Sequence, residues 1–138
     1  MGQLLAVDYG KKRTGLAATD DFQIIASGLD TVETVNLMDF LTAYLSQNTV
    51  EAIVVGLPTD LRGNPSEVEG DILKFIAEFE AKFPFVPVER LDERFTSKMA
   101  SFYISQSGKS KKKRESKELI DKVSATLILQ NFLDLRKR

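Results

Sequence analysis

Three acidic positions are spaced along this chain so that a folded sheet could bring them together. Asp8 follows the apolar run Leu4–Val7, Glu93 follows a second strand-like segment that ends near Leu91, and Asp121 lies in the last helical segment. A carboxylate at the end of a buried strand needs a cation, water or another partner, because an unpaired buried charge is costly. Three such acids could together hold two divalent cations for in-line phosphoryl transfer.

The composition restricts which metal these acids could bind. The chain has no histidine and no cysteine. Imidazole bases, Ser-His-Asp triads and nearly all zinc catalysis are therefore excluded, and so are disulfides and thiolate sites. Any metal must be held by oxygen, which favours Mg²⁺ or Mn²⁺ and, for phosphoryl transfer, two ions.

The segment after Asp8 has the composition of a phosphate-binding turn. Gly10 and Gly15 flank the consecutive cations Lys11, Lys12 and Arg13. Glycine lets the backbone come close to a bulky group, and the cations suggest that this group is a phosphate. The alternative is a surface hairpin with Asp8 in its turn and three solvated bases.

A second basic segment covers residues 105–117. The formal net charge of the chain is −1, yet residues 107–118 hold only two acids against six bases. These bases are Lys109, Lys111, Lys112, Lys113, Arg114 and Lys117. No apolar residue is available to anchor the segment, so we expect a mobile loop over 105–117 that binds phosphate. The alternative is a solvated loop that never meets nucleic acid.

The order of predicted elements indicates one α/β domain over 1–138. Strands are expected at 3–8, 14–19, 24–32, 51–58 and 85–91. Helices are expected at 37–47, from Asn64-Pro65 onward, after Thr96 and at about 117–135. We predict a five-stranded mixed sheet with strand 1 central, helices on both faces, and Pro87 on an edge strand because proline lacks an N–H. No membrane span or signal peptide is visible, so a cytoplasmic protein is expected.

Helical spacing places Asp121 on the apolar face of the last helix. Asp121, Ala125, Ile128 and Phe132 lie at i, i+4, i+7 and i+11, so they share one face. Since the other three must face the core, Asp121 is expected to point toward the sheet. The alternative is an acid in the first helical turn that the helix dipole stabilises.

The sequence resembles the YqgF/RuvX family over essentially its whole length. The likeness is carried by Val7-Asp8-Tyr9-Gly10-Lys11-Lys12-Arg13-Thr14-Gly15, Val54-Val55-Gly56-Leu57-Pro58, Asp92-Glu93-Arg94-Phe95-Thr96 and Ile120-Asp121 followed by Ser124-Ala125-Thr126-Leu127-Ile128-Leu129. These are bacterial proteins with an RNase H-like fold, described as Holliday junction resolvases and as nucleases that mature the 5′ end of pre-16S ribosomal RNA. A mild departure is Val123-Ser124-Ala125, where a more alanine-rich stretch is expected.

The resemblance implies a metal-dependent nuclease whose acidic site is Asp8, Glu93 and Asp121. Asp92 stays an alternative to Glu93 as a metal ligand. The candidate substrate-binding residues are Lys11, Lys12, Arg13, Arg94, Thr96, Lys111, Lys112, Lys113 and Arg114.

Two other classes of protein share parts of this pattern. The turn at 8–15 also resembles the first phosphate loop of actin and sugar-kinase ATPases, but 138 residues leave no room for their second lobe. A non-catalytic RNA-binding module could use the basic segment alone. For a nuclease, RNA is the favoured substrate and branched DNA the alternative, and the protein could act as a monomer or a homodimer.

Overall fold

The computed structural model describes residues 2–58, 67–92 and 113–136, and for 113–121 it describes the course of the helix but not the side chains. The strands are β1 (Gln3–Asp8), β2 (Arg13–Thr19), β3 (Ala26–Glu33), β4 (Val50–Leu57) and β5 (Val88–Asp92). A 3₁₀ turn at Thr34–Asn36 leads into helix α1 (Leu37–Gln47), and the other described helices are α2 (Glu69–Lys82) and α3 (Lys113–Arg136).

The strands form one mixed sheet in the order β3-β2-β1-β4-β5. β1 and β2 form an antiparallel hairpin, β3 continues it on the outside, and β4 and β5 run parallel to β1. The predicted five-stranded mixed sheet with β1 at its centre is confirmed. β5 is an edge strand, and Pro87 immediately precedes it and accepts a hydrogen bond from the Ile53 amide at 3.0 Å.

Helices cover both faces of the sheet, as predicted. Side chains alternate along each strand, so neighbouring residues enter opposite cores. Helices α1 and α2 cover the face that carries Leu5, Val7, Leu16, Ile53 and Val55. Helix α3 covers the other face, called here the α3 face, against which Ala125, Ile128, Leu129 and Leu133 pack onto Leu4, Ala6, Ala17 and Val54.

Several predicted boundaries are wrong by a few residues. α3 begins at Lys113 rather than Lys117, so the last part of the predicted loop is helical. The segment from Lys113 onward is rich in Lys, Arg and Glu, which are good helix formers even without an apolar face. β5 begins at Val88 because the preceding residues turn, with the Val86 amide donating to Phe83 O at 3.1 Å.

The predicted starts of α1 and α2 agree with the structure only in part, and two further predicted elements lie wholly or partly outside the described residues. α1 has the predicted bounds and Asn36 precedes it, but the Asn36 side chain makes no capping hydrogen bond. α2 begins at Glu69, after a turn at Glu67 and Val68, so the predicted start at Asn64-Pro65 is too early; Asn64 and Pro65 themselves lie outside the described residues. The helix expected after Thr96 and residues 105–112 of the predicted loop also lie outside them. Among the described helices, none is long and apolar enough to cross a membrane.

Candidate active site at the carboxyl edge of the sheet

Asp8 is the last residue of the central strand and lies between two glycine positions. It pairs with Gly15 of β2. On the other side, one residue beyond the Val7–Val55 pair, it lies level with Gly56 of β4. Because Leu4 and Ala6 enter the α3 core, the strand alternation puts Asp8 on the α3 face. The residues level with Asp8 on both neighbouring strands are therefore glycines, which carry no side chain.

The turn after Asp8 is held closed by Thr34. The Thr34 hydroxyl donates to Gly10 O at 2.6 Å and lies 2.9 Å from the Thr14 hydroxyl, and the Thr34 amide donates to Lys12 O at 2.9 Å. A Cβ on Gly10 would lie 2.4 Å from Arg13 O, so the turn closes too tightly for any other residue. Sequence reasoning missed Thr34, which lies more than twenty residues beyond the turn and belongs to no recognisable motif.

The three cations of this turn lie at the same edge of the sheet as Asp8. Lys11 and Lys12 are exposed in the turn, and Arg13 is the half-buried first residue of β2. Arg13 lies two residues before Gly15, so alternation places it on the α3 face together with Asp8. The surface-hairpin alternative is wrong as regards Asp8, which ends a buried central strand rather than lying in the turn.

Tyr9 points to the face opposite Asp8. Its ring packs against Phe75 of α2 with the ring centres 5.6 Å apart. Burial, followed by the nearby charges of Asp71 and Glu78, raises the pKa of the Tyr9 hydroxyl above its usual 10.0. The phenol therefore stays protonated at neutral pH.

Arg90 fixes the carboxyl ends of β4 and β5 relative to α2. Its guanidinium donates to Val55 O at 3.1 Å and to Gly56 O at 3.0 Å. The same group makes a two-pronged ion pair with Glu69, at 3.0 and 2.8 Å. These bonds hold β4, whose Gly56 lies beside Asp8, from the α1/α2 face of the sheet. Sequence reasoning did not single out Arg90 or Glu69.

Along β5, alternation separates Asp92 from the α3 face. Leu91 pairs with Gly56 and packs in the α3 core. Arg90 and Asp92, its two neighbours, therefore point to the face of α1 and α2, as the bond from Arg90 to Glu69 on α2 shows for Arg90. Asp92 is exposed at the end of this edge strand.

Helix α3 runs antiparallel to β1, which brings its amino-terminal half toward the edge that carries Asp8. Arg136 donates to the Gln23 side chain at 2.9 Å, and Gln23 donates to Gly2 O at 2.8 Å, so the end of α3 lies at the start of β1. Fifteen residues of helix between Asp121 and Arg136 span about 22 Å. The six steps from Gly2 to Asp8 span about 20 Å. Position 121 therefore lies about level with Asp8 along the sheet.

The structure thus describes part of the predicted site. Asp8, Lys11, Lys12 and Arg13 lie together at the carboxyl edge. Lys113 and Arg114 are the first two residues of α3, and their side chains, like that of Asp121, lie outside the described residues. Five further predicted residues lie wholly outside the described part of the chain: Glu93, Arg94, Thr96, Lys111 and Lys112. Among the side chains that are described, no three acids converge as a metal site.

Comparison with known proteins identifies relatives over the full domain. A family model described as "RuvX: Holliday junction resolvase" matches residues 2–135. Proteins named "Putative pre-16S rRNA nuclease" from Flavobacterium johnsoniae and Bacteroides fragilis are 49% and 44% identical, each over 99% of this chain and 99% of the relative.

A solved structure shares the fold at low sequence identity. The structure titled "T. thermophilus RuvC in complex with Holliday junction substrate" matches with a TM-score of 0.59 and 18% identity, covering 98% of this chain and 96% of that one. The sheet order and this likeness confirm the predicted RNase H-like fold. On the family match and the identity to these relatives, the chain belongs to the RuvX family.

Proposed function

We propose that this protein is a metal-dependent nuclease that processes the 5′ end of pre-16S ribosomal RNA. The observation that carries the proposal is the position of Asp8. It ends the central strand between two glycine positions, on the face that α3 covers, with Lys11 and Lys12 exposed at the same edge. An acid flanked by glycines and beside exposed cations suits a phosphodiester and the cations needed to cleave it. Maturation of ribosomal RNA would place the protein in the cytoplasm.

We assign the metal site to Asp8, Glu93 and Asp121. The position of Asp8 at the end of β1 between two glycines supports its assignment. The direction of α3, and the level of position 121 along the sheet, support that of Asp121. Glu93 is favoured over Asp92 because Asp92 points away from the α3 face, on which Asp8 lies. A set of carboxylate oxygens with no nitrogen or sulfur ligand fits Mg²⁺ or Mn²⁺.

Each group at the edge has a separate task in this reaction. Two divalent cations, when bound, supply the charge neutralisation that in-line displacement at phosphorus requires. Asp8 contributes its carboxylate at a position that the central strand fixes. Lys11 and Lys12 bind phosphates that flank the scissile bond, and Arg13 approaches the same RNA strand from the α3 face. The bonds from Thr34 keep this turn in one conformation before substrate arrives.

The test is cleavage of a labelled precursor RNA with Mg²⁺ by matched single variants. Asp8→Asn should abolish cleavage and weaken Mn²⁺ binding, and Glu93→Gln should do the same. Asp92→Asn is the matched control and should stay active, because its side chain lies on the other face. Full activity in a clean Asp8→Asn preparation would refute the metal site.

Resolution of branched DNA is the second candidate function, and the description of the matching family favours it. A resolvase must cut two strands symmetrically, which calls for a two-fold dimer. A four-way DNA junction offered beside the precursor RNA, with sedimentation of the complexes, separates the two. Symmetric cleavage of the junction by a dimer, with the RNA left intact, would replace the proposed substrate. Binding of RNA without any metal-dependent cleavage would instead identify a non-catalytic RNA-binding module.

A further inference from the structure

A cleft opens on the α1/α2 face of the sheet, directly behind the turn that follows Asp8. It has a volume of about 280 Å³. The half-buried ring of Tyr9, backed by the buried ring of Phe75, forms an aromatic wall, and Thr34 and Val35 border the cleft on the side of the 3₁₀ turn. A space of this size is below the range of about 300–1,000 Å³ usual for drug-sized ligands, and it suits a single planar ring system.

The outer wall of the cleft carries three charged side chains of one helix. Asp71, Lys74 and Glu78 line it from α2. They are exposed, and within the described part of the chain no ion pair joins Lys74 to either acid. Two acceptors and a cationic donor are thus presented beside the aromatic wall, and the acids repel a phosphate that would enter the cleft.

This combination matches the edge of an unpaired guanine base. Guanine offers two adjacent donors, N1–H and the N2 amino group, which a carboxylate can accept together. It also offers the acceptors O6 and N7, to which lysine is a usual donor. Unpaired bases in RNA are commonly bound by stacking on aromatic rings and by hydrogen bonds to their edges. Uracil has one ring donor and no amino group, and adenine has an amino group but no adjacent ring donor.

We propose that this cleft binds an unpaired guanine of the RNA, next to the phosphates held by Lys11 and Lys12. The connection between the two sites is short: Tyr9 follows Asp8 directly, and Thr34 lines the cleft while its hydroxyl and amide hold Gly10 O and Lys12 O. This deepens the proposed function and rests on it, because the bound guanine would set which phosphate reaches Asp8. It also selects single-stranded RNA, since a paired guanine has its N1–H and N2 groups already engaged.

The test measures base preference with the full chain in EDTA, where cleavage is blocked. The probes are fluorescein-labelled 12-nucleotide RNAs of adenosine only, or with one central guanosine, inosine, cytidine or uridine. One guanosine should tighten binding about tenfold over the adenosine host, as two hydrogen bonds to charged groups allow. Inosine lacks the N2 amino group and should give an intermediate affinity.

Matched variants locate the preference in the cleft. One carboxylate accepts both guanine donors, so Glu78→Gln or Asp71→Asn should reduce the ratio of guanosine to adenosine affinity to near one, while binding of the adenosine host stays equal or becomes tighter. Glu80→Gln removes an exposed acid from the same helix that does not line the cleft, and it should keep the tenfold ratio.

The outcomes separate this inference from the proposed function. Equal affinity for all five RNAs overturns the guanine site, and so does a guanosine preference that survives in both acid variants or is lost equally in Glu80→Gln. Cleavage with Mg²⁺ but without any base preference refutes the guanine site and leaves the nuclease proposal intact. A guanosine preference that depends on Glu78 or Asp71, in a protein that cleaves nothing, leaves the guanine site standing and refutes the nuclease.

Discussion

Replacing Gly10 by alanine tests whether the closed turn after Asp8 is required for both stability and activity. The new Cβ would lie 2.4 Å from Arg13 O, whereas Cβ atoms essentially never approach within 3.0 Å of another atom. The two backbone segments must then separate by at least 0.6 Å, the difference between those distances. The opposing atom is backbone, so no side chain can rotate away to relieve the clash.

The expected loss of stability follows from the interactions that the separation disturbs. Forcing an extra methyl group into a closed site costs about 1–3 kcal/mol. Loss of the hydrogen bond from the Thr34 hydroxyl to Gly10 O adds about 1 kcal/mol. We expect a total of about 2–4 kcal/mol, which with a urea m-value of about 2 kcal/mol per M lowers the unfolding midpoint by about 1–2 M.

Activity should fall more than stability alone explains. Asp8, the proposed metal ligand, lies two residues before Gly10, and a displacement of about 1 Å in a catalytic group can cost about a hundredfold in rate. RNA cleavage at a temperature where the variant stays folded should therefore fall about 10- to 100-fold. Gly70→Ala is the matched control, because a Cβ there meets nothing within 4 Å and α2 should gain up to about 1 kcal/mol. An unfolding midpoint for Gly10→Ala equal to that of wild type would refute the reasoning.

Three further changes have defined outcomes. Arg90→Lys cannot keep both carbonyl bonds and the two-pronged pair with Glu69, so the free energy of unfolding should fall by about 1–2 kcal/mol, and a double-mutant cycle with Glu69→Gln should show coupling. Amides of the following turn, Ile25 first and then Ile24, lower the pKa of Asp20 below 3.8; Asp20→Ala should therefore lose stability at pH 5–7 and match wild type as the pH falls through that lowered pKa, as urea titrations at several pH values would show. The last change replaces four bases of the basic segment by serine: Lys111, Lys112, Lys113 and Arg114. RNA binding should weaken regardless of sequence, and its salt dependence should flatten by up to about one unit of slope for each phosphate that is no longer bound. An unchanged slope would identify a solvated segment.

The sequence predicted the parts of the fold that local patterns encode. The bounds of β1 and α1 are as predicted, because a continuous apolar run and a 3.6-residue repeat each have one good interpretation. The edge position of β5 was predicted from Pro87 and is confirmed, although Pro87 lies just before the strand rather than within it. Phe85 was wrongly placed in that strand, because an aromatic residue favours strands in general while here it is 94% exposed in a turn.

The parts of the site that could not be predicted depend on interactions between distant segments. Thr34 reaches Gly10 across 24 residues, and Arg90 reaches Val55 across 35. Both side chains act on carbonyl oxygens, which every residue possesses, so nothing in the partner sequence marks the interaction. The start of α3 was missed for a different reason: a helix that begins in a charged segment without an apolar face gives no periodic signal.

The position of α3 has a consequence for the order in which this protein becomes active. It is the last described element of the chain, it alone among the described helices covers its face of the sheet, and its hydrogen bond between Arg136 and Gln23 spans 113 residues. Interactions of such long range form late in folding, after local hairpins such as β1 and β2. Since Asp121, the proposed third metal ligand, comes with this helix, a chain still being synthesised would carry Asp8 on an open apolar sheet without that residue. We expect such a chain to bind chaperones through that face and to be unable to cleave the RNA around it.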